Sequence, residues 1–140
     1  MAFITKADLK SNMYPEIVAA VSRNDDTILD ALFAETESMM RTFLGRYDAN
    51  AIFSATGAAR NAYVLKVAKN IAVYELMKLS NRTVSQNIRL DYEDAINWLN
   101  GINSGKYDAG DLPFLADAAG NTDIAGPVQW GSMEKTGYGY

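Results

Sequence analysis

The chain has 140 residues, 49% of them hydrophobic and 21% charged, with no cysteine, no histidine and a net charge of −4. That length suits one domain able to bury roughly two thirds of the surface its unfolded form exposes, and the composition excludes wholesale disorder and fibrous or coiled-coil classes. Thiolate chemistry, Ser-His-Asp catalysis and the common zinc sites are closed without Cys and His, and every apolar run is interrupted too soon for a membrane span.

From the start, "ITKADLK" places Thr5 as an N-cap with Asp8 three residues on, a capping-box arrangement, and sets Ile4 and Leu9 at the spacing of a hydrophobic staple. A short helix ending near Asn12 is expected there. Pro15 at a first-turn position with Glu16 beside it predicts a second short helix to about Ser22. In "NDDTILDALFAETESMMRTFLGRY", Asp25 or Asp26 caps a long helix whose Ile28, Leu29, Leu32, Phe33, Met39, Met40, Phe43 and Leu44 recur at helical spacings, and Gly45 falls where a left-handed C-cap would sit. A connecting stretch with one turn of helix around residues 49–53 leads to a helix from about Ala58 to Leu79. Its apolar residues, Val67 and Ile71 among them, cover more than one face, as in a central helix with neighbours on several sides. The last helix runs from about Asn87 to Asn103, with Ile88, Tyr92, Ala95, Ile96, Leu99 and Ile102 on one stripe, Trp98 beside it and Gly105 ending it.

These elements give an all-α fold, a small bundle of about five helices. The expected core is Leu29, Leu32, Phe33, Phe43, Val67, Ile71, Ile96 and Leu99. Residues 1–107 form the helical body, with twelve acidic and twelve basic side chains. Residues 108–140 form an extended arm, with Asp108, Asp111, Asp117, Asp123 and Glu134 against Lys135 alone. A neutral body with an acidic arm lacks the clustered Lys/Arg face that sequence-specific DNA binding needs. Nothing marks the chain for secretion, and with no cysteine the residues leave the compartment open, consistent with the cytoplasm.

Acidic groups at Asp25, Asp26 and Asp30, and at Asp91, Glu93 and Asp94, fall near helix starts, where the terminus itself favours carboxylates. They do not match a calcium loop. The glycines at 126, 131, 137 and 139 form no phosphate loop, and Arg60, Lys66, Lys69 and Lys78 read as a solvated face. The expectation is therefore a chain that is no enzyme and needs no metal and no cofactor. The arm is harder to account for: Phe114, Trp130, Tyr138 and Tyr140 stand among few aliphatic neighbours, and large aromatics are what binding interfaces use as anchors.

The order of "ITKADLK", "ILDALFAETESMMRTFLGRYD", the long central helix, "YEDAINWLNGINSGKYD" and a tail containing "VQWGS" resembles the head-to-tail connector, or adaptor, proteins of tailed bacteriophages, in particular the Mu-like group. The resemblance implies a helical subunit of the virion neck, assembled in the host cytoplasm into a ring of twelve beneath the portal. The arm would dock on the portal protein, through Leu112, Phe114, Val128, Trp130, Tyr138 and Tyr140, and the opposite face would receive a stopper or tail-completion protein. Double-stranded DNA would pass without sequence-specific binding, and no membrane is involved. Here "SMEKTGYGY" ends the chain where a basic cluster is expected of such tails. A non-viral helical interaction module is the alternative that the residues alone leave open.

Overall fold

The computed structural model describes residues 3–79 and 83–114. They form five α-helices, α1 (Pro15–Ser22), α2 (Asp26–Phe43), α3 (Ala49–Ser54), α4 (Ala62–Leu79) and α5 (Gln86–Ser104), with 3-10 turns at Lys6–Ser11 and Gly57–Ala59. Among the described residues, extended pairing is confined to an isolated antiparallel bridge between Tyr47 and Phe114. The fold is an all-α bundle.

α4 occupies the middle, touching α5, α2, α1 and the N-terminal 3-10 turn. Val64, Val67, Ala68, Ile71, Ala72, Val73 and Leu76 are all buried on it, which is the wide apolar arc read from its sequence. Ala68 and Ala72 are small enough to let neighbouring helices approach closely. α5 runs antiparallel to α4, because the ring contacts pair early residues of one with late residues of the other: Tyr63 meets Trp98 at 5.0 Å, and Tyr74 stacks on Tyr92 at 4.0 Å. Burial, with lesser contributions from Glu75 and Tyr74, raises the Tyr92 hydroxyl above its ordinary pKa.

The helix ends follow local chemistry. Thr5 and Asp8 form the predicted capping box, and the Asp25 carboxylate accepts from the Thr27 amide at 3.0 Å and its hydroxyl at 2.6 Å. α1 ends on two successive left-handed residues, Arg23 and Asn24, with the Asn24 amide donating to the Ala19 carbonyl at 2.9 Å. Gly105, at φ 82°, caps α5 as expected.

Four expectations shift. Gly45 is not the left-handed cap of α2, since the described glycines with positive φ are Gly57 and Gly105. The buried Leu44 holds the end instead, its amide bonding to Met40 and its carbonyl accepting from Tyr47 in a tight turn. α4 begins at Ala62 rather than 58 because the Asn61 side chain caps it, accepting from the amides of Tyr63 and Val64 at 3.0 Å each. α5 starts at Gln86 on a Ser85 cap, so Asp91, Glu93 and Asp94 lie past its first turn, exposed. In the core, Leu29, Leu32, Phe33, Val67, Ile71 and Leu99 are buried, whereas Phe43 and Ile96 pack only at its edge. Each stands one position off its helix's inner line, where Leu44 and Ala95 take the buried places.

The N-terminus is fixed to the start of α4 by an ion pair. Arg60 donates to both carboxylate oxygens of Asp8, at 2.6 and 3.0 Å, and to the Phe3 carbonyl at 2.9 Å. Both side chains are 14% exposed. The Arg60 hydrogen bonds, with support from Thr5, lower the Asp8 pKa to about 2.

Two outcomes test this architecture. Leu99→Ala empties a fully buried position and is expected to cost about 2–5 kcal/mol in chemical denaturation, with Ile96→Ala at or below the low end of that range; equal losses would contradict the edge placement. Asp8 has a folded pKa below its unfolded one, so its contribution is complete above about pH 4 and is lost as pH falls toward 2. The stability gap between wild type and Asp8→Asn should therefore shrink by about 2 kcal/mol between pH 5 and pH 2.

Candidate functional site

The expected arm begins at residue 108, yet the described chain stays on the body as far as Phe114. After Gly105 turns the backbone, the Tyr107 amide bonds to the Gly101 carbonyl at 3.1 Å. The Tyr107 ring lies over Gly101, in the space a Cβ there would need. Glycine inside α5 thus serves a close approach, which outweighs its low helix propensity.

Arg46 and Tyr47 hold the next residues. Arg46 donates to the Ile102 carbonyl at 2.6 Å, covering the end of α5, and stands 3.7 Å from the Asp108 carboxylate. The Tyr47 hydroxyl accepts from the Ala109 amide at 3.0 Å. Asn61 donates to Asp111 at 2.8 Å, and the Asp48 amide bonds to the Pro113 carbonyl at 2.8 Å. Leu112 is buried, and the Phe114 ring stacks on Tyr47 at 4.9 Å with an interplanar angle of 15°.

Of the residues expected to reach a portal, Leu112 and Phe114 are therefore packed on their own subunit, extending the body seven residues beyond the 107 boundary. Their anchor is the segment 46–48, which the sequence shows only as a connecting stretch. The signal available was the Gly-Arg-Tyr-Asp exit from α2; what hid its role is that its partners lie some sixty residues away in sequence. Val128, Trp130, Tyr138 and Tyr140 lie outside the described residues.

The other sequence constellations are placed as follows. Asp26 pairs with Lys6 at 3.1 Å, and Lys78 with Glu75 at 3.4 Å. Lys69 donates to the Ser11 hydroxyl at 2.8 Å, and Lys66 stands over the Tyr63 ring. Met40 is buried and Met39 half-buried. Glu35 and Glu75 line a small cleft of about 110 Å³ between α2 and α4, with Leu32, Thr36, Met39 and Ile71. No group of three or more Cys, Asp or Glu among the described residues is arranged to hold a metal ion. None of their helices is long and apolar enough to cross a membrane.

Fold and site together define a small all-α protein whose helical body grips the base of a further stretch of chain. Residues 3–113 match the family described as Bacteriophage Mu, Gp36, and the chain belongs to that family. No curated protein matches it, and no solved structure does. The matched span closes one residue before Phe114, so it takes in the body together with the clamped segment.

Removing one atom tests the clamp. Tyr47→Phe keeps the ring stack but leaves the Ala109 amide without its acceptor, and is expected to cost about 1 kcal/mol. Hydrogen exchange should speed up at Ala109 and leave the amides of α4 protected in proportion to global stability.

Proposed function

We propose that this chain is a structural protein of the phage neck, a connector that assembles as a ring between the portal and the stopper or tail-completion components. The observation that carries the reading is the family membership, which covers the whole helical body and leaves residues 114–140 beyond the matched span. The order of elements that resembles connector proteins belongs to the same phage group.

In this reading the body supplies the ring wall and the residues after Phe114 supply the portal contact. Val128, Trp130, Tyr138 and Tyr140 are the anchors, because Leu112 and Phe114 are occupied within the subunit. The clamp at Tyr47 fixes where each arm leaves its subunit, so in a symmetric ring all arms depart at equivalent points toward the portal. Twelve copies suit the resemblance. Double-stranded DNA passes through the ring without base-specific contact, consistent with the equal numbers of acidic and basic residues in residues 1–107. The role asks for no catalysis and no cofactor.

Electron microscopy of the intact particle's neck tests this directly. The expected result is a ring of this chain beneath the portal, with density for residues 128–140 against portal subunits. A neck without this chain would overturn the connector reading.

A further inference from the structure

A groove lies at the end of the bundle far from the clamp. Its wide part, about 420 Å³, is bordered by Lys10, Tyr14 and Ile17 on one side and by Met77 and Ile88 on the other. It continues past Asn12 and Ile88 into a smaller hollow, about 40 Å³, bounded by Asn70, Val73 and Asp91. Tyr14 is 72% exposed and Ile17 37%, so the rim presents large apolar surface to solvent.

The charge around the groove is uneven. Asn70, Val73 and Met77 follow one another along α4 at helical spacing, and Lys69 reaches the wall to donate to Ser11. Lys10 and Lys69 take part in no ion pair among the described residues. Against these two cations stands Asp91. An apolar trough with a cationic edge fits a segment that carries aliphatic side chains and carboxylates but no cation.

The chain contains such a segment directly after the clamp. "LADAAGNTDIA", residues 115–125, has Leu115 and Ile124 with Asp117 and Asp123, and no Lys or Arg. We propose that residues 115–125 of one copy occupy the groove of the next, making the lateral contact of the ring; this rests on the ring reading given above. The clamp and the groove lie at opposite ends of α4: Asn61 holds Asp111 at one end, and Met77 borders the groove at the other. The contact is therefore head to tail, the kind that closes into a ring when the rotation between copies allows. Length permits it. Ten extended residues carry Ile124 up to about 35 Å from Phe114, farther than the roughly 27 Å length of α4, so it can reach past the edge of its own subunit.

The absence of cysteine makes the test clean. In the full chain, the double variant Ile17→Cys/Ile124→Cys would be oxidised in assembled particles and, separately, as purified protein at high concentration. The expected product is a ladder of covalent multimers, with Ala34→Cys/Ile124→Cys, whose first position is exposed on α2, giving far less. Adding Lys10→Glu and Lys69→Glu should weaken the ladder about tenfold, as carboxylates would then face carboxylates. Tyr14→Cys in place of Ile17→Cys is a second probe of the same rim. Bonds formed only within single chains, or a ladder no stronger than the Ala34 control, would overturn the proposal. A ring seen in the neck without the ladder would overturn this contact and leave the connector reading standing. A neck lacking the chain would overturn that reading, and the purified-protein arm would still decide the groove.

Discussion

The body is organised by a helix that cannot be left in water. α4 buries seven residues that lie around more than half of its circumference, and no single partner covers so wide an arc. α5 covers one side through the Tyr63–Trp98 and Tyr74–Tyr92 contacts, α2 another, and α1 with the N-terminal 3-10 turn closes a third. The Asp8–Arg60 pair then ties the first residues of the chain to the start of this helix. The pair is partly shielded from solvent, which makes it stronger than an exposed ion pair and gives the N-terminus a fixed register on α4.

What was legible in the sequence was what local chemistry decides. The capping box at Thr5 and Asp8, the Pro15 start, the Asp25 cap and the Gly105 end are each written in a few consecutive residues, and each stands where it was read. Periodicity found six of the eight expected core positions, and placed Phe43 and Ile96 one step too deep because a stripe of apolar residues does not reveal which of two neighbours faces inward. Gly45 misled for a related reason. A glycine after a helix is a good left-handed cap in isolation, but burying Leu44 sets the geometry there first.

The clamp was not legible, and its physics explains why. Arg46, Tyr47 and Asp48 form no motif of their own; they act through a carbonyl at the end of α5 and through backbone groups at Ala109 and Pro113. Long-range contacts of this kind depend on the assembled bundle. The acidic residues Asp108 and Asp111, which looked like part of a charged arm, are drawn toward Arg46 and Asn61 and help to settle the chain on the body. The composition of residues 108–140 was correctly read as different from that of the helices, but a change of composition does not mark the point where packing stops.

The Tyr47–Phe114 contact also has a mechanical meaning. A pull on the chain beyond Phe114 does not peel α5 away from its C-terminal end. It is met first by the Asp48–Pro113 hydrogen bond, the stacked rings and the Tyr47 hydroxyl, all of which pass the force into the turn that follows α2. Leu44, buried at that turn, seats it in the core. Tension that reaches Phe114 is thereby delivered to the interior of the bundle through the turn that follows α2.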